Sequence, residues 1–112
     1  MDTNTLILAK EQAKMFRIFS NSRRILIFCL LMEHELSVGE IAGQVGASLQ
    51  NTSQHLRLMK DNSVLSSRRD GQTIYYSISD NEFGDCCKRM FQAYSLKHLS
   101  TYQKKINIKK EI

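Results

Sequence analysis

A chain of 112 residues with 42% apolar and 24% charged side chains is one ordinary globular domain, which excludes bulk disorder and any need for stapling by disulfides or metals. The net charge of +5 suits a polyanionic partner such as nucleic acid. Cys29, Cys86 and Cys87 have no framework spacing, which excludes a disulfide-built secreted scaffold and points to a reducing, cytoplasmic setting.

Leu6 to Phe19 is predicted as the first helix, with Leu6, Ala9, Ala13 and Phe16 at helical spacing. Ser20-Asn21-Ser22 interrupts it, and Asn21 or Ser22 can cap a second helix through Ile25, Leu26, Phe28, Cys29 and Leu31. That segment is apolar nearly all round, as expected of a central core helix. Its run from Ile25 to Met32 is too short to span a bilayer, and the N-terminus has early charge with no apolar signal core, so no membrane partner is expected.

Ser37-Val38-Gly39-Glu40 has the form of a capping box and opens a short helix, with Val38, Ile41, Ala42 and Val45 on its apolar side. Gly46 can end that helix in the left-handed conformation, and Ser48 caps the next, which runs to Met59 or Lys60. Beyond Val64 the pattern becomes strand-like. Val64 to Arg69 faces Gln72 to Ile78 across Asp70-Gly71, a two-residue hairpin signal. Ser79-Asp80-Asn81-Glu82 reads as a second capping box. It starts a last helix with Phe83, Cys87, Met90, Tyr94, His98 and then Thr101 or Tyr102 on one stripe. The terminal Lys104, Lys105, Lys109 and Lys110 read as a solvated end. The fold class is therefore mainly α with a small β-hairpin. Its order is α-α-α-α-β-β-α, a winged helix-turn-helix in a single domain over residues 1–112.

A helix-turn-helix lays its second helix in the DNA major groove. Thr52, Leu56 and Met59 fall on the inward side of the fourth helix. Gln50, Gln54 and Arg57 share the opposite side, with Asn51 and Ser53 beside them. Amides and hydroxyls read base edges, whereas ordinary solvated helices favour Glu and Lys. Arg68 and Arg69 lie near the hairpin tip, where a wing can reach phosphate or the minor groove. The candidate DNA-contacting set is Ser48, Gln50, Asn51, Ser53, Gln54, His55, Arg57, Arg68 and Arg69. The last helix carries more apolar surface than one small core uses, so it and the first helix are expected to form a homodimer on a pseudo-palindromic double-stranded operator. A winged-helix protein-interaction module, and a constitutive DNA binder or anti-repressor without an effector site, are the alternatives. No Gly-rich phosphate loop, useful carboxylate pair or His-Glu-x-x-His motif is present, so neither an enzyme nor a cofactor is expected.

The segments Ser20-Asn21-Ser22-Arg23-Arg24-Ile25-Leu26, Leu36 to Ala42, Thr52 to Leu58 and Asp70 to Ile78 resemble the ArsR/SmtB family of winged-helix repressors. The resemblance implies an operator-binding homodimer released by a metal or by thiol chemistry. The Cys-Val-Cys of one sensor type is Ser37-Val38-Gly39 here. The last-helix ligand positions of another would be Asp80, Glu82, Ala93 and Leu96, two of which cannot bind metal, so no metal site is expected. The nearer resemblance is to the thiol- and persulfide-sensing BigR/HlyU-like branch. Cys29 occupies the place of its second-helix cysteine, while the place of the partner cysteine reads Tyr94-Ser95. Three roles stay open. Cys29 pairs with Cys86 or Cys87 under a reactive-sulfur or oxidant effector, or the switch is gone, or all three are buried apolar residues.

Overall fold

Helix α1 (Thr3–Ile18) starts where the Asp2 carboxylate accepts the Thr5 backbone N–H at 2.8 Å. That cap places the helix start three residues ahead of the apolar periodicity at Leu6. The computed structural model describes residues 1–93. Met15 and Ile18 turn inward, whereas Leu6, Ala9, Ala13 and Phe16 stay exposed. Helix α2 (Ser22–Leu31) is capped by Asn21, whose side chain accepts from Arg24 N–H, and it buries Ile27, Phe28 and Leu31.

A two-residue strand, β1 (Leu36–Ser37), precedes α3 (Val38–Val45). Both halves of the expected capping box form, and Gly46 ends α3 at φ 68°, ψ 39°. Ser48 caps α4 (Leu49–Asp61). Strands β2 (Leu65–Asp70) and β3 (Thr73–Ile78) complete an antiparallel sheet of order β1-β3-β2. The expected hairpin is therefore the outer part of a three-stranded sheet. Asp70 pairs with Thr73, so the loop is Gly71-Gln72, one residue beyond the expected Asp70-Gly71. Gly71, with φ 64°, supplies the left-handed first loop position.

The last helix, α5, covers 82–93 among the described residues. Its cap is Asn81, not Ser79: Asn81 Oδ1 accepts from Gly84 N–H at 2.7 Å. Ser79 is held just beyond the strand ends, donating its N–H to the Val64 carbonyl at 2.9 Å, and it is buried with its hydroxyl 3.1 Å from that of Ser66. The expected continuation of the α5 stripe through Tyr94, His98, Thr101 and Tyr102, and the terminal lysines, lie outside the described residues.

One buried cluster draws on all of these elements except β3, with Phe28, Ile27, Ile41, Leu56, Met59, Leu65, Val64 and Cys87 at its centre. Phe19, Phe28 and Phe91 join α1, α2 and α5 through ring-centroid separations of 4.8 to 5.3 Å. Thr52 is fully buried in this core, and its hydroxyl has no hydrogen-bond partner among the described residues. Thr52→Val keeps the shape and removes the unpaired group, so it should raise stability by about 1 kcal/mol in urea titrations. A loss of stability would mean that the hydroxyl has a partner.

Candidate nucleic-acid interface

The α3–α4 unit is fixed by local chemistry. Left-handed Gly46 reverses the chain, Ala47 N–H returns to the Ala42 carbonyl at 3.1 Å, and Ser48 Oγ accepts Asn51 N–H at 3.0 Å. The hydroxyl of Ser48 is thus occupied in starting the helix. From that start, the helical repeat carries Gln50, Ser53, Gln54 and Arg57 to one side. All four are exposed and line a shallow groove of about 530 Å³ with Leu58, Asp61 and Asn62. Among the described residues none of these four side chains is tied up in an ion pair, so donors and acceptors stand free along one face.

Asn51 and His55 sit differently. Both are half-buried, on the flank of α4 that meets α2. Asn51 Oδ1 accepts from Arg23 Nη1 at 2.8 Å, and His55 Nδ1 lies 3.3 Å from Arg24 Nη1. Burial first, then the Arg24 and Arg23 charges, hold the His55 pKa below its ordinary value. These two members of the candidate set are engaged within the chain.

Leu49 was not a sequence-based candidate. It is 61% exposed in the first turn of α4, flanking Ser53. An apolar residue is normally assigned to a core, which hides such a position. The signal available was its place directly after the cap, where reading helices meet base edges and an apolar group can pack on a thymine methyl. Leu49 and Ser53 also border a second groove with Ser37, Val38, Gly39, Gln72, Thr73 and Ile74, between α4 and the wing.

Strand alternation sends Arg68 and Arg69 to opposite faces of β2. Arg68 folds over the Tyr75 ring at 4.5 Å and donates from Nε and Nη2 to the Glu35 carboxylate at 2.6 to 3.0 Å. Its charge is therefore compensated. The pair is exposed and screened by solvent, so a phosphate can displace the carboxylate. Arg69 is exposed and pairs across the ladder with Ile74.

The three thiols are free and sit in three different environments. Cys29 is half-buried in a cleft with Leu26, Leu30, Glu33, Gln44 and Val45, and burial pushes its thiol pKa up. Cys86 is exposed in a groove between α1 and α5. Cys87 is wholly buried, and burial, then neighbouring Cys86, raises its pKa to about 11. Among the described residues, no three His, Cys, Asp or Glu side chains gather as a metal site, and no helix is long and apolar enough to cross a membrane.

Residues 21–66 match the family described as bacterial regulatory protein, arsR family. The transcriptional activator HlyU of Vibrio cholerae is 33% identical over 78 residues, which are 67% of this chain and 72% of that protein. The homodimeric winged helix-turn-helix DNA-binding domain Mb0332 of Mycobacterium bovis superposes with a TM-score of 0.73 at 27% identity, covering 90% of this chain and 93% of that one. NolR of Sinorhizobium fredii superposes with a TM-score of 0.73 at 32% identity, covering 88% and 94% respectively.

Proposed function

The chain belongs to the ArsR family of bacterial transcription regulators with a DNA-binding winged helix-turn-helix, and on that premise we propose that it occupies a pseudo-palindromic operator as a homodimer and represses transcription there. The observation that carries this reading is the free polar face of α4. Gln50, Ser53, Gln54 and Arg57 are exposed together, while Thr52, Leu56 and Met59 of the same helix are buried. The four outward residues read base edges. Arg69 meets phosphate, and Arg68 does so after releasing Glu35. Ser48 sets the start of the reading helix. Residues 1–112 act as a single domain. The exposed stripe on α1, together with the homodimeric state of the M. bovis domain, supports pairing of two copies through the first and last helices. A seated dimer excludes polymerase from the DNA it covers. A reactive-sulfur or oxidant effector would meet Cys86 first, because Cys86 is exposed whereas Cys29 is half-buried and Cys87 buried, and burial raises the pKa of both.

The test is selection of a duplex from a randomised pool, followed by competition against unrelated DNA. Binding should weaken steeply as salt rises. Gln54→Ala should cost about 1–3 kcal/mol of discrimination, and Arg69→Ala should weaken all sequences alike while reducing the salt slope by about one. Equal affinity of the unaltered protein for every duplex would remove sequence-specific regulation.

A further inference from the structure

Two neighbouring arginines on α2 grip one flank of the reading helix. Arg23 Nη1 donates to Asn51 Oδ1 at 2.8 Å. Arg24 bridges three elements: its Nε donates to the Ile18 carbonyl at 2.7 Å, its Nη2 to the Arg17 carbonyl at 3.4 Å, and its Nη1 stands 3.3 Å from His55 Nδ1. Asn51 and His55 are one helical turn apart, so each arginine holds one of two successive turns of α4. Arg24 thus joins the end of α1, the start of α2 and the middle of α4 through a single guanidinium.

A guanidinium has five donors, no acceptor and a permanent charge. The contact with Arg24 therefore requires a lone pair on His55 Nδ1, which places the imidazole proton on Nε2. A second proton would occupy that lone pair and turn the contact into a repulsion between two cations. The charged groups facing His55 are Arg24 and Arg23, both from α2. The end of α1 contributes only backbone carbonyls to the cluster, and among the described residues no carboxylate pairs with either arginine. Among the described residues no acidic group stands by to compensate an imidazolium.

Resting on the DNA-binding reading above, we propose that Arg23 and Arg24 are positioning residues that set the reading helix through Asn51 and His55, and that a proton taken from solvent by His55 Nδ1 releases this grip and lowers operator affinity. The sign follows from burial and the two arginines, which hold the folded-state pKa of His55 below its ordinary value. The unfolded chain takes the proton first, near the ordinary histidine value of about 6.5. The stability gained from neutral His55 is therefore present above that pH and is lost as pH falls through the folded-state pKa.

The experiment measures affinity of the full chain for its selected duplex by fluorescence anisotropy, from about pH 7.5 to about pH 5, across the window in which histidine titrates. The unaltered protein should lose affinity severalfold as the pH falls through this window. His55→Asn keeps an acceptor near the Nδ1 position and cannot titrate, so its affinity should stay level. Arg24→Lys should bind more weakly at every pH, because one ammonium cannot serve the Ile18 carbonyl and His55 together. Nitrogen-15 spectra of the DNA-free protein should show the Nε2–H tautomer at neutral pH. Equal pH slopes for the unaltered protein and His55→Asn, affinity that rises on acidification, or an Nδ1–H tautomer would each overturn the proposal. Failure to select any duplex at neutral pH would instead overturn the DNA-binding reading and the affinity claim with it, while the tautomer still reports on the grip itself.

Discussion

Phe28→Ala should destabilise the fold by about 3–5 kcal/mol, the usual cost of emptying a buried phenylalanine site. Phe28 has no solvent exposure, and its ring lies 5.2 Å from Phe19 and 5.3 Å from Phe91, centroid to centroid. The rings come from α2, the end of α1 and α5. The space left behind cannot be refilled by one neighbour without pulling the others off their own contacts. Small domains are held by only about 5–15 kcal/mol, so this one change removes a large share of the total. The midpoint of a circular-dichroism melt should fall by on the order of 20 °C. Phe28→Leu retains most of the volume and should cost less than about 1.5 kcal/mol if packing is the cause. A loss below about 1.5 kcal/mol for Phe28→Ala itself would show that the aromatic triad does not pin the three helices together.

The parts of the fold legible in the sequence are those whose physics is local. The Ser37 capping box, left-handed Gly46 and the Ser48 cap each act within three or four residues, and the structure places each at its expected helix end. The free face of α4 is legible for the same reason, because a helical repeat alone separates Gln50, Gln54 and Arg57 from Thr52, Leu56 and Met59. What escaped detection depends on distant partners. Strand β1 has two residues, too few to show any period, and exists because Leu36 and Ser37 pair with Tyr76 and Tyr75. Ser79 satisfies the spacing of a cap, yet its N–H is held by the Val64 carbonyl just beyond the strand ends, which leaves the role to Asn81. Arg68 reads as a free wing charge until Glu35, 33 positions away, is brought beside it. Asn51 and His55 look like DNA readers because nothing in α4 announces that Arg23 and Arg24 will lie against them.

Phe16→Glu should split the proposed dimer and weaken operator binding by about 10²–10⁴-fold, the avidity gained when a second half-site is engaged intramolecularly. Phe16 is 64% exposed in the single chain and Leu6 is 50% exposed on the same stripe, with Ala9 and Ala13 between them. Burying a large apolar side chain contributes about 1.5–3 kcal/mol. A two-fold interface uses each such residue twice, so one substitution acts on both protomers. The glutamate also brings a charge to each side of a surface that would otherwise be dry. Within one chain the cost is small, because Phe16 points away from the core and an exposed substitution usually changes stability by no more than about 0.5 kcal/mol. Sedimentation should therefore report a folded monomer at micromolar concentration, with a far-ultraviolet spectrum unchanged from the parent. Such a monomer retains the free face of α4 and binds half-sites one at a time. A Phe16→Glu protein that still sediments as a dimer, or a monomer that holds the operator as tightly as the parent, would mean that the α1 stripe is not what brings two reading helices to one duplex.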